Sequence, residues 1–280
     1  MTEPLTRTSI AHVALRTPDV DATAAFYTDV LGLIASPPDA SGRVLLGWGT
    51  GHHALELAPG AAALEHVALE VRDPGGAQGA VRRAGIHAEP VAGCGALATA
   101  DPDGNVLHLI DRVHRAGEHG ADPGRRPVRV QHVTFSTAAL EPMVAFYRAL
   151  GLRLTDRMGE KFAWLRSNVE HHSIAAVATG RSGGLDHFSF DVDGWADFKV
   201  WADRVTDLGV PVQWGPGRHG PGNNLFLFFD DPDGNHIELS AEMERFFDAR
   251  AEYPVRTWED AATTVNLWGG QVPQWRTVGA

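Results

Sequence analysis

Residues 231–240 read DPDGNHIELS and residues 101–110 read DPDGNVLHLI. The shared DPDGN supplies turn chemistry, because Asp and Asn side chains bond nearby backbone and Gly accepts a left-handed conformation. The apolar residues that follow read as a strand. The copies part at one place: Glu238 stands where the other stretch has His108. A carboxylate inside an apolar strand is costly unless something satisfies it. The two stretches therefore share a fold and differ in what that position does.

Outward from this pair, the whole chain repeats. HVALRTPDVDATAAFYTDVLGL (12–33) is answered by HVTFSTAALEPMVAFYRALGL (132–152). GTGHHALEL (49–57) is answered by NVEHHSIAAV (168–177), and LEHVALEV (64–71) by LDHFSFDV (185–192). The features come in the same order in both halves, as a duplication requires. Each half divides again, so that a strand, a helix and several strands recur over about 9–57, 64–112, 129–177 and 184–241. Helices are expected after the first strand of each unit, among them 74–85 and 194–209. Gly32, Gly151 and Gly209 serve as stops. The reading is an α+β fold of four βαβββ modules paired into two domains, each an incomplete mixed β-barrel with outer helices. The domains are 1–112 and 128–241, joined by a linker, 113–127, rich in Gly, Pro and charge. A tail, 242–280, carries Trp258, Trp268 and Trp275 and is expected to pack on the second domain.

Bulk composition narrows the function. The chain of 280 residues has 24 basic and 35 acidic side chains and a formal charge of −11. No Lys/Arg-dense stripe is present to neutralise phosphates, so a nucleic-acid partner is not expected. No apolar run is long enough to span a membrane. The N-terminal stretch lacks the basic and apolar regions of a signal peptide. The single cysteine, Cys94, permits no intrachain disulfide and suits a reducing cytoplasm. Fourteen histidines are many for this length, and histidine is the commonest metal ligand.

Three strand-interior residues occupy matching places in their modules: His132, His187 and Glu238. Alternation sets His187 with Leu185 and Ser189, while Phe188 and Phe190 pack the other way. Bound to one ion, two imidazoles and a carboxylate would offset the cost of burying the charge. They would leave open positions, the pattern of non-haem Fe(II) oxygenases.

The second half resembles the type I extradiol ring-cleaving dioxygenases of the vicinal oxygen chelate superfamily. GPGRHGPGNNLFLFFDDPDGNHIELS (215–240) matches that family's Gly-x-His, hydrophobic stretch, Asp-Pro-x-Gly and ligand Glu. The resemblance covers the chain at module level and is strongest from 130 to 240. It implies that His132, His187 and Glu238 hold Fe(II), or Mn(II). It implies that His172 is the acid–base histidine and that His219 bonds substrate oxygen or dioxygen. Asn223 would follow His219 in a pocket loop, and Trp164 would line the pocket. The implied reaction is cleavage of a catecholic ring next to the diol with O2, giving a ring-opened semialdehyde, in a homo-oligomer. Two positions depart from the family. Phe228 stands where a Tyr is usual, losing a hydrogen-bond donor to substrate. Trp214 stands near a position that is basic in members cleaving carboxylated catechols, which favours an uncharged or aromatic substituent.

The first half offers His12, His66 and His108 at the three ligand positions, with His52 and His53 opposite His171 and His172. It has no counterpart of His219. It reads as a non-catalytic relic of duplication, with a neutral three-histidine set where the second half has an anionic one. Two other readings belong to the same scaffold. A glyoxalase- or epimerase-like enolate chemistry usually draws a second Glu ligand, which the ligand positions lack. A small-molecule-sequestering protein needs no metal, and His172 and His219 beside the trio argue against it.

Overall fold

The computed structural model describes residues 8–49, 52–72, 75–93, 95–111 and 126–275. Cys94 and nearly all of the expected linker, 113–127, lie outside them.

The first half runs β1 (Ser9–Thr17), α1 (Val20–Leu31), β2 (Ile34–Ala35), β3 (Val44–Gly47), β4 (His53–Pro59), β5 (Ala63–Val71), α2 (Gly76–Ala84), β6 (Glu89–Pro90), β7 (Leu97–Ala100) and β8 (Val106–Asp111). The second half runs β9 (Arg129–Thr137), α3 (Leu140–Ala149), β10 (Arg153–Met158), β11 (Phe162–Arg166), β12 (Ile174–Ala178), β13 (Leu185–Asp191), α4 (Trp195–Asp207), β14 (Val212–Arg218), β15 (Leu225–Asp230) and β16 (His236–Ala241). The tail adds β17 (Arg256–Trp258) and α5 (Ala262–Val265).

Each half forms one open mixed sheet. The first has the order β2-β3-β4-β1-β5-β8-β7-β6. The second has the order β10-β11-β12-β9-β13-β16-β15-β14, which is the same arrangement, with β17 added at the outer edge of β10. Two modules meet in each sheet through an antiparallel central pair, β1 with β5 and β9 with β13. The flanking contacts β1–β4, β5–β8, β9–β12 and β13–β16 are parallel. Neither sheet closes into a barrel, and the α+β architecture of four βαβββ units is as the repeat implies.

Local chemistry explains the helix bounds. Asp19 caps α1 by accepting a bond from the Ala22 amide, and Gly32 ends it at φ 66°, a left-handed conformation that glycine adopts without strain. The helices α2 and α4 begin one or two residues inside the expected 74–85 and 194–209. They stop before Gly85 and Gly209.

Strand alternation sorts the second sheet's faces. Phe188 and Phe190 are fully buried beneath the helices with Phe135 and Trp201. The residues between them face the opposite side, where the site lies.

The halves are tied together by the repeat itself. The Ala-Phe-Tyr tyrosine of α1, Tyr27, donates to Asp231 Oδ2 of the second half's DPDGN turn at 2.7 Å. Its counterpart Tyr147 donates to Asp101 Oδ2 of the first half's turn at 3.1 Å. All four residues are buried.

Candidate metal centre

The site is built on three adjacent strands, β16, β13 and β9. The register places Ser189 between His132 on one neighbour and Glu238 on the other, so those two side chains reach across the same level of the sheet. His187 enters from β13 itself. His132 Nε2 lies 2.8 Å from Glu238 Oε2, and His187 Nε2 lies 3.4 Å from the same oxygen. His132 and Glu238 are each 1% exposed, so bulk water solvates neither.

Two β-bulges orient the imidazoles. On β13 the register steps from Leu185 to His187 while β9 advances one residue, which leaves Asp186 as the extra residue. On β9 it steps from Val130 to His132, which leaves Gln131 as the extra residue. A bulge re-aims side chains that simple alternation would send to the far face. Here Asp186 Oδ1 bonds His187 Nδ1 at 2.6 Å, and Gln131 Oε1 bonds His132 Nδ1 at 3.1 Å. Both acceptors fix the proton on Nδ1 and turn the Nε2 lone pairs inward, the usual support for a ligating histidine. The carboxylate is braced likewise: Asn224 Nδ2 donates to Glu238 Oε1 at 3.1 Å and to Ser240 Oγ at 2.9 Å.

This donor set fits a divalent ion. Two imidazole nitrogens and a carboxylate oxygen converge at hydrogen-bond distance, where a divalent cation can take the place of an imidazole proton. Two donors each about 2.1 Å from one ion at a right angle stand about 3 Å apart, close to the 2.8 and 3.4 Å separations observed. Burial pushes the Glu238 carboxyl up, but the charge and hydrogen bonds of His132 and His187 outweigh it and hold the group ionised far below the usual carboxylate range.

A pocket of roughly 450 Å³, open mouth included, lies over the trio. Its polar wall is His132, Thr134, His172, His187, His219 and Glu238, and its apolar wall includes Phe162, Trp164, Pro221, Trp214, Phe228 and Val265. The sequence-derived residues therefore meet in one cavity, except Asn223. Asn223 has φ 55° and its side chain accepts from Arg218 Nε at 3.0 Å, outside the pocket lining. The neighbouring Asn224 is the one whose side chain reaches Glu238. Thr134, Phe162, Pro221 and Val265 were not among the sequence-derived site residues. Thr134 shares the face of His132 two residues on and bonds His187 Nε2 at 3.1 Å, a signal that alternation carries.

His172 sits at the end of a buried chain of polar groups. Asp156 Oδ2 lies 3.0 Å from His171 Nε2, and His171 Nδ1 lies 2.9 Å from His172 Nδ1. With the Nε2 proton of His171 facing Asp156, its Nδ1 accepts, so His172 donates Nδ1–H and keeps a lone pair at Nε2. Burial, then the neighbouring imidazoles His132 and His171, push the His172 imidazolium well below its ordinary value, so the ring is neutral near pH 7. The tail holds the far end: Arg256 Nε and Trp258 Nε1 donate to Asp156 at 2.8 and 2.6 Å. His219 bonds the Val265 carbonyl through Nδ1 at 2.5 Å, leaving Nε2 on the pocket side, 3.7 Å from Glu238 Oε1. Trp275 stacks on His236 and abuts Phe228 and Trp214, so the tail packs against the pocket wall.

Comparison with known proteins agrees with this architecture. Metapyrocatechase 2 of Cupriavidus necator is 29% identical over 197 residues, a match spanning 62% of this chain and 61% of that protein. The substrate complex of homoprotocatechuate 2,3-dioxygenase from Brevibacterium fuscum with 3,4-dihydroxyphenylacetate superposes with a TM-score of 0.84 at 26% identity, covering 98% of this chain and 92% of that one. The Mn(II)-bound glyoxalase from Novosphingobium aromaticivorans gives 0.83 at 26% identity, covering 96% and 92%. The model of the Glyoxalase/Bleomycin resistance protein/Dioxygenase superfamily matches residues 9–127 and again 129–239. Two module pairs, each on an open mixed sheet, thus account for most of a chain that belongs to the glyoxalase/bleomycin resistance protein/dioxygenase superfamily.

Proposed function

We propose that this protein is an extradiol dioxygenase that cleaves a catecholic ring beside its diol with O2, using Fe(II) held by His132, His187 and Glu238. The observation that carries the reading is the pairing of an anionic two-histidine, one-carboxylate set with His172 and His219 over one aromatic-walled pocket. The relatives named for catechol cleavage support it. A bound Fe(II), or Mn(II) as in the glyoxalase neighbour, would give the diol and dioxygen a common binding place and carry electrons between them.

The chain's own residues supply the remainder. Neutral His172 takes a catechol hydroxyl proton at Nε2 and later returns it, while His171 and Asp156 hold its tautomer. His219 bonds a substrate oxygen at Nε2. Trp164, Trp214 and Phe228 enclose the ring and exclude water. No Lys or Arg is among the described lining residues, so an alkyl or aryl substituent suits this pocket better than a carboxylate. Catalysis is assigned to residues 128–241, with 1–112 as a non-catalytic partner.

The test is oxygen uptake by anaerobically Fe(II)-loaded protein with catechol, alkylcatechols, 2,3-dihydroxybiphenyl and homoprotocatechuate. One O2 per catechol and a yellow product are expected, with homoprotocatechuate the poorest substrate. Glu238→Gln should lose both iron and turnover. Absence of uptake by iron-loaded protein across the panel overturns the reading.

A further inference from the structure

The first half carries its own convergence of ligands, and it is not the three-histidine set that the repeat suggests. His12 on β1 and His66 on β5 occupy the places of His132 and His187. His108, at the place of Glu238, instead stacks on the His66 ring with centroids 3.8 Å apart. The carboxylate arrives from the opposite side. Glu56 on β4 brings Oε1 to 3.2 Å from His12 Nε2, and His66 Nε2 lies 3.0 Å from that same nitrogen. In the second half the residue aligned with Glu56 is Ala175. The anionic donor has thus changed strands, from the far side of the β13-type strand to the far side of the β1-type strand.

We propose that His12, His66 and Glu56 form a second binding site for a first-row divalent metal ion of the class that imidazole and carboxylate ligands take, such as Zn(II) or Co(II). Several features of the second-half centre recur here. The separations of 3.0 and 3.2 Å match the spacing of about 3 Å between adjacent donors on one ion. The donors lie on three adjacent strands, β4, β1 and β5. His12 and His66 are buried. The carboxylate's second oxygen is braced, with Arg43 Nη1 donating to Glu56 Oε2 at 2.9 Å, as Asn224 braces Glu238. His53 lies 2.7 Å from Glu56 Oε1 through Nε2 and stands beside the site as a fourth donor. This inference rests on the first half alone and survives failure of the catalytic reading.

The experiment is equilibrium dialysis of the full chain, first stripped with chelator, against Zn(II), with bound metal counted by elemental analysis and the Co(II) protein followed by visible absorption. Two ions per chain are expected in the unaltered protein. Glu238→Gln should retain one, Glu56→Gln with His66→Ala should retain one, and all three substitutions together should retain none. One ion per chain in the unaltered protein that Glu238→Gln abolishes overturns the proposal. So does retention of two by a folded Glu56→Gln, His66→Ala variant, with folding checked by circular dichroism. Where a first-half variant fails to fold, the count retained by Glu238→Gln decides the matter.

Discussion

Phe228 is the cross-strand partner of Glu238, and its ring lies 5.2 Å from that of His187. It presents carbon where a phenol could donate to an oxygen on the substrate. Removing one such donor from an oxyanion site costs about 10²–10³ in rate. Phe228→Tyr is therefore expected to raise kcat by about tenfold or more, with iron content unchanged, by steady-state oxygen uptake. A fall in kcat at unchanged iron content would mean that the pocket is built for the bare ring. At this scale the candidate ligand trio was legible because each member interrupts an apolar pattern. The choice between Asn223 and Asn224 was not, because it depends on one residue entering the left-handed region and turning its side chain away. Glu56 was hidden for a related reason. On β4 the register against β3 steps from Leu55 to His53 while β3 moves one residue. That bulge at Ala54 sets His53 and Glu56 on one side, which strict alternation forbids.

The same irregularity organises whole elements. Both central strand pairs carry bulges at equivalent places, at Ala11 and Glu65 in the first half and at Gln131 and Asp186 in the second. Only the second pair has side chains that brace the next residue's Nδ1; Ala11 cannot, and Glu65 is engaged by Arg43. The succession of modules was readable from the repeat, whereas bulges leave no mark in hydropathy. The helices α1 and α3 are pinned through their tyrosines to the DPDGN turns. A hydrogen bond to a charged group contributes about 1.5–3 kcal/mol, so Tyr27→Phe and Tyr147→Phe should each lower unfolding free energy by about that much in urea titrations. Burial raises the Asp101 and Asp231 carboxyls above 3.8 despite bonds from Asn105 and Asn235 and from the tyrosines. A carboxyl raised on folding contributes stability at low pH and loses it as pH rises through its folded value. Asp101→Asn with Asp231→Asn should therefore gain stability relative to the unaltered protein as pH climbs from about 3.8. A difference that does not vary with pH would contradict the assignment.

At the scale of the molecule, the tail was placed on the second half by sequence, but its reach was not. Residues 256 and 258 finish the polar chain behind His172, and residues 265 and 275 contribute to or buttress the pocket wall. These contacts are long-range and leave no periodic signal. The crossed bonds Tyr27–Asp231 and Tyr147–Asp101 have a wider meaning. Contact i-to-j matched by j-to-i is the signature of an isologous interface between identical subunits. The chain is built as a pseudo-symmetric dimer whose protomers have been fused end to end. Each protomer clasps the other's turn. The clasp is shared by the two halves while their candidate ligand sets differ, one with Glu on β16 and the other with Glu on β4. A single proteolytic nick within 112–125 should consequently leave two fragments that co-elute on gel filtration and retain oxygen uptake. Their separation on nicking would show that the tether, and not the clasp, holds the pair.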